Sequence, residues 1–173
     1  MLLHRLVSHR VGMGEEMKFA AKFLRKATQQ LLLYHGSQKK FPIGFTLLPQ
    51  SDGYAASQNE DIANTEQILE AHRPPHCLPR SKSVFLVGDP EEIDFAGGYT
   101  DFIYRVEPIG RVEKNDMDWY GQLSCVMWDE EDDPEAVRLA ENYWNGTPSD
   151  HSENSLFEYR AGSAKIVELV EVE

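Results

Sequence analysis

Residues 31–50 read LLLYHGSQKKFPIGFTLLPQ, and the fold turns on how that stretch is read. Leu31 to Tyr34 form a short apolar and aromatic run that delivers His35 and Gly36 to a loop, which predicts a buried strand ended by Gly36. Pro42, Gly44 and Pro49 then break the chain into turns around, at most, a short strand. Before it, Met17, Ala20, Ala21 and Leu24 stand at helical spacing with Lys and Arg between them, which predicts an amphipathic helix over 15–30. After it, the pattern predicts a helix over about 58–72, stopped by Pro74 and Pro75, and a strand in SKSVFLV (81–87). GDPEEIDFAGGY (88–99) reads as a turn with some helical character. DFIYRVEPIGRV (101–112) reads as a strand interrupted at Pro108. DDPEAVRLAENYWNG (132–146) carries acids and Pro134 at its start and Gly146 after its end, the signature of a helix. The segment 157–172 reads as strand, glycine-containing turn and strand, with Ile166, Glu168, Val170 and Val172 alternating imperfectly. The sum is an α+β fold of short strands with helices early and late.

The bulk properties narrow the class. A chain of 173 residues fits one domain, 41% hydrophobic and 27% charged, the composition of a soluble globular protein. We expect a single domain over 1–173, with 1–30 as an extension and 31–173 as its core. No apolar run approaches the roughly 18–20 residues that span a bilayer. The N-terminus has no uninterrupted apolar region of the kind that makes a signal peptide. Cys77 and Cys125 follow no zinc spacing and read as reduced thiols, so the expected compartment is the cytoplasm and no metal is expected. His72, His76 and Cys77 cluster around a Pro-Pro turn, again without zinc spacing. A net charge of −12 disfavours nucleic acid and anionic membrane as partners. No phosphate-binding glycine motif of either common type is present.

Four segments in order carry a resemblance: YHGS (34–37), RSKSVFLVGD (80–89), FAGGY (95–99) with FIYRVEP (102–108), and FEYRAGSAKIVEL (157–169). Together they resemble the ADP-ribosyltransferase fold in its His-Tyr-Glu branch, that of diphtheria toxin and the poly(ADP-ribose) polymerases. The run from YHGS through VEP is also similar to the small bacterial rifamycin ADP-ribosyltransferases. The resemblance covers roughly 31–108 and 156–172, and implies a split β-sheet core of short strands with peripheral helices. It implies a mono-ADP-ribosyltransferase that takes NAD as co-substrate, needs no metal, and releases nicotinamide as ADP-ribose passes to a protein or small-molecule acceptor. A bacterial or phage effector or an antibiotic-modifying enzyme suits a chain of this size.

Carried over position by position, the resemblance implies that Gly36 holds the nicotinamide carboxamide through its backbone and that His35 meets the adenosine ribose, with Ser37 beside them. It implies that Tyr99 stacks on the nicotinamide and that Phe85 stands near the family's second aromatic, shifted by one position. It implies Glu158 as the acid that orients the ribose, with Glu153 and Asp116 as competitors for that role. Ser83 falls near a Ser-x-Ser of the family's other branch. On charge alone, Arg80 is a candidate contact for the pyrophosphate.

The chemistry suits these residue types. Cleaving nicotinamide from ribose passes through an oxocarbenium-like sugar, so a catalyst holds the leaving group flat and offers negative charge. Plainer readings stand beside each assignment: His35 as a strand-end histidine, Tyr99 as a core tyrosine, Arg80 as a loop arginine paired to an acid. Loops 50–79 and 111–153 are the expected determinants of the acceptor, with Trp144 as a wall of the cleft or a packing residue. Two other functions use the same chain. One is a catalytically silent binding or inhibitor protein acting through its acidic surface, including 129–135. The other is an NAD glycohydrolase with water as acceptor.

Overall fold

Strand β1 (Leu33–Ser37) forms at the expected apolar run and continues one residue past Gly36. The structure is a computed structural model that describes residues 31–49, 60–126, 128, 131–150 and 155–170. The chain divides into two compact units, Met1–Leu31 and Leu32–Glu173, and the described strands and helices belong to the second. The helix expected over 15–30 lies outside the described residues, as does Glu153.

The remaining strands are β2 (Thr46–Leu47), β3 (Val84–Val87), β4 (Phe102–Asp116) and β5 (Phe157–Val170). They form one antiparallel sheet in the order β2-β5-β3-β1-β4, with β4 also paired to β5. The pairing therefore closes on itself: β1 to β4, β4 to β5, β5 to β3, β3 to β1. The links differ greatly in length. β4 and β5 run side by side from Ile103↔Val170 to Asp116↔Phe157, whereas β1 and β3 meet at Tyr34↔Val87 alone.

Three helices accompany the sheet among the described residues: α1 (Glu60–Ala71), α2 (Met117–Ser124) and α3 (Pro134–Trp144). Asp133 caps α3 by accepting from the backbone N–H groups of Glu135 and Ala136, and Pro134 supplies a preset φ at its first position. Gly146 follows at φ 62°, and a side chain there would collide with the Lys114 carbonyl, so glycine is required. The helix α2 was not expected. Eight residues give too little periodicity to read, although its cap, Asp116 accepting from Asp118 N–H, is a legible start signal.

Two strands are longer than expected. β4 runs unbroken through Pro108 because its edge towards β1 is paired only as far as Val106, so a residue without an N–H costs no ladder bond there. β5 runs through Gly162, which lies opposite a bulge in β4, where Gly110 and Arg111 fall between the Ile109↔Ser163 and Val112↔Ala161 pairs, so it marks no turn. A second shift, between Arg105 and Val106, explains the imperfect alternation at Ile166 and Glu168.

Pleating then sorts the side chains. One face packs Leu33, Val84, Leu86, Tyr104, Val106, Ala161, Ala164 and Ile166 into a single apolar cluster inside the closed ring. The other face carries Val87 and Ile103 against Ile93, and also the polar and charged residues Glu113, Asn115, Glu158 and Arg160. The helices build a third cluster from Ile68, Leu69, Trp119, Leu123, Leu139, Tyr143 and Trp144.

Candidate functional site

The site begins where β1 and β3 part. Beyond the Tyr34↔Val87 pair no further register is kept, and the His35 ring bridges the gap with Nδ1 3.0 Å from the Phe85 carbonyl. A carbonyl only accepts, so Nδ1 carries the hydrogen and Nε2 is left as the ring's acceptor. Burial pushes the His35 pKa below its usual value, against the opposing effect of that hydrogen bond, so the imidazole is neutral near pH 7. His35 shares the pleat face of Leu33.

Gly36 meets the segment that follows β3. Asp89 accepts from Glu91 N–H and caps a short helical turn, Pro90–Glu92, which leads to the buried Ile93. From there the chain folds back, with Gly98 N–H donating to the Ile93 carbonyl at 2.8 Å, and lays the Tyr99 carbonyl over Gly36. A Cβ on Gly36 would stand 2.5 Å from Ile93 Cγ2 and nearer still to the Tyr99 oxygen, so only glycine permits the approach. The Tyr99 and Phe95 rings remain 51% and 83% exposed beside it.

On the opposite face of β3, the Phe85 ring lies 4.9 Å from the Arg80 guanidinium. Arg80 is also boxed by Tyr120 and Tyr143, at 4.9 and 5.3 Å. Its Nε donates to both Glu66 oxygens at 2.9 Å, and Nη1 donates to Glu158 Oε1 at 2.6 Å and to the Tyr143 hydroxyl. The Tyr143 hydroxyl in turn donates to Glu158 Oε1 at 2.6 Å. Arg160 continues the network through Asn115 Oδ1 at 3.0 Å, Glu113 Oε2 at 2.7 Å and the Leu78 carbonyl at 2.7 Å. Helix α1 supplies Glu66, and one turn later Glu70 accepts from Arg80 N–H, so the helix holds both ends of that arginine.

These groups are interior: Arg80, Arg160, Glu66 and Glu158 are all at most 6% exposed as side chains. Burial opposes the Arg80 charge, and Glu158, Tyr143 and Glu66 together outweigh it, so the guanidinium stays protonated. Burial raises the Glu66 carboxyl against the pull of Arg80, and raises the Tyr143 hydroxyl as well. Three carboxylates (Glu66, Glu113, Glu158) thus share two guanidiniums in a setting where unpaired charge is costly.

The structure brings His35, Phe85, Arg80 and Glu158 into one connected series, and Gly36 and Tyr99 into another that adjoins it. His35 and Glu158, however, stand on opposite faces of the sheet, since Glu158 pairs with Val87 and His35 alternates with Tyr34. Ser37 is buried and its hydroxyl accepts from Lys39 N–H, while Ser83 is buried and donates to the Pro79 carbonyl. Arg80 places its Nε on Glu66 and its Nη1 on Glu158 and Tyr143, and it and Glu158 are 2% and 5% exposed. Asp116 is fully buried and accepts from Asp118 and Ser149 N–H groups. Trp144 is a packing residue, its indole N–H on the Leu69 carbonyl and its ring 4.7 Å from the Arg160 guanidinium.

Sequence reasoning missed Glu66, Glu113, Tyr143 and Arg160. Tyr143 reads as one more core position on α3, and Glu66 as a solvated helix acid. The signal available for Arg160 was its i+2 spacing from Glu158 on one strand, which puts both on one face.

Fold and site together define an α+β protein with a nearly parted sheet and a buried ion network on one side of the parting. No helix among the described residues is long and apolar enough to cross a membrane. No protein-family model matches the chain, and no curated protein matches it.

Proposed function

We propose that this chain transfers ADP-ribose from NAD to a protein or small-molecule acceptor, with the notch between β1 and β3 as its nicotinamide site. The observation that carries the reading is the construction around Gly36: a bare backbone at the one place where β1 leaves β3, closed on one side by the Tyr99 carbonyl and bordered by the His35 ring. A seam between β1 and β3, joined by one residue pair, is also what an ADP-ribosyltransferase-like core would offer. A flat ring entering the notch meets His35 from one face of the sheet, and on the other face Phe85 leads through Arg80 to the buried Glu158.

In the reaction, the bond from nicotinamide nitrogen to ribose C1′ breaks and its electron pair leaves with nicotinamide, which becomes neutral. The acceptor's lone pair closes on C1′, and the acceptor's proton passes to solvent. The negative charge of Glu158 and its neighbours favours the sugar cation between the two steps. With water as acceptor, the same site is a glycohydrolase.

A second reading is favoured by a specific observation. Glu158 Oε1 is engaged by Arg80 and Tyr143 and lies 3.5 Å from Arg160 Nε, which suits a protein that binds NAD or ADP-ribose without turnover and acts through its acidic surface. Nicotinamide release from NAD, measured with and without cell lysate, decides between them. Transfer predicts lysate-stimulated release that Glu158→Gln lowers by two orders of magnitude or so, in keeping with the loss of one preorganised group. Folded protein that binds NAD and releases nothing under either condition establishes the silent module.

A further inference from the structure

We infer that Tyr143, acting with Arg80, is the positioning residue that fixes Glu158 for ADP-ribose transfer, and the inference rests on that proposed function. Helix α3 brings the Tyr143 side chain, itself fully buried, against the sheet so that its hydroxyl donates to Glu158 Oε1 at 2.6 Å. Arg80 Nη1 donates to the same oxygen at 2.6 Å, and Arg160 Nε approaches it at 3.5 Å. Two donors thus converge on one oxygen of the carboxylate, with the Arg160 charge beside it and its Nε donating to Asn115, and Oε2 takes none of these contacts. A carboxylate held by one oxygen presents the other in a fixed direction, which is what orienting a ribose hydroxyl demands.

The supports are themselves fixed. Arg80 cannot swing, because Glu66 grips its Nε through both oxygens, Glu70 holds its backbone N–H, and three aromatic rings enclose its plane. Tyr143 is pinned by its own helix, and its carbonyl accepts from Asn115 Nδ2 at 2.6 Å on β4. The acid on β5 is therefore held by elements from three separate parts of the chain: α1 through Arg80, α3 through Tyr143, and β4 through the Arg160 pair. Arg80 and Arg160 are each shared with a second carboxylate, Glu66 and Glu113, and the Tyr143 hydroxyl is the neutral donor among the contacts on Glu158 Oε1.

The test is a double-mutant cycle on nicotinamide release, with Tyr143→Phe, Glu158→Gln and the pair together. Tyr143→Phe removes one oxygen from a buried site and keeps the ring against Trp144 and Arg80. The expected result is a fall in kcat of about tenfold or more with KM for NAD little changed, and no further fall when Tyr143→Phe is added to Glu158→Gln. The melting temperature of each variant, read alongside, tracks folding separately. Losses that multiply in the double variant, or a fall in activity matched by a raised KM and a lower melting point, assign Tyr143 a structural role and overturn the inference while the transferase reading stands. If Tyr143→Phe does not fold, Glu66→Gln, which loosens Arg80, serves in the same cycle with the same expectation. Wild-type protein that releases no nicotinamide overturns the transferase reading itself, and the positioning role falls with it.

Discussion

At the scale of single residues, Gly36 is the position where sequence and site meet. Its lack of a side chain lets the Tyr99 carbonyl lie directly over β1, so Gly36→Ala must displace either that carbonyl or Ile93. Backbone cannot yield cheaply, and overpacking of this kind costs about 1–3 kcal/mol. The expected outcome is a lowered midpoint in denaturant titration with raised protease sensitivity in 93–101, where an unchanged midpoint would mean that the loop moves freely. His35 gives a second residue-scale expectation. Folding lowers its pKa from the usual 6.5, so below that pH the unfolded chain binds a proton that the folded one refuses. Stability attributable to His35 is therefore fully present above 6.5 and declines as pH falls through that value, with a slope of up to about 1.4 kcal/mol per pH unit. His35→Gln flattens the melting temperature between pH 7 and 5 if His35 is the source, and leaves the slope intact if the drop arises elsewhere.

At the scale of elements, what was legible followed from local chemistry. The α3 start was readable because Asp133 and Pro134 do their work within one turn, and β1 and β3 because apolar runs between polar breaks have few alternatives. Pro108 and Gly162 misled because their usual meaning depends on what lies across the strand. A proline facing an unpaired edge and a glycine opposite a bulge do not end a strand, and neither condition can be seen without the partner. The site was legible in the same uneven way. His35, Gly36, Tyr99, Phe85 and Glu158 were picked out one by one; the structure sets His35 against Phe85 and Gly36 against Tyr99, and Phe85 reaches Glu158 only through Arg80. That His35 and Glu158 occupy opposite faces, and that Arg80 is consumed by Glu66 and Glu158, are consequences of register and of helix packing. Those depend on pairs far apart in sequence, such as Arg80 and Glu158, and no local pattern encodes them.

At the scale of the whole molecule, the sheet is a closed series of strand pairings with one weak link, between β1 and β3. β4 and β5 share a ladder that spans nearly their full length, β3 adds four pairs to β5, and β1 adds five to β4, but β1 touches β3 at one pair. Local opening is easiest where few hydrogen bonds must break together, so the β1–β3 seam is where the fold is expected to breathe. Hydrogen exchange reads this directly. Amides of the β4–β5 ladder are expected to exchange near the limit set by global unfolding, and those of 84–86 that face β1 much sooner. If NAD binds across the seam as proposed, it closes it, and at a hundredfold over its Kd the gain in stability is about 2.7 kcal/mol. The slowing is expected to concentrate at 35–37, 84–86 and 98–100, where His35, Phe85 and the Tyr99 carbonyl border the notch. Slowing confined to helices α1 and α3 instead would place NAD on the far side of the ion network and remove the notch as its site. Uniform slowing across all strands would point to a ligand that stabilises the fold globally without entering the seam.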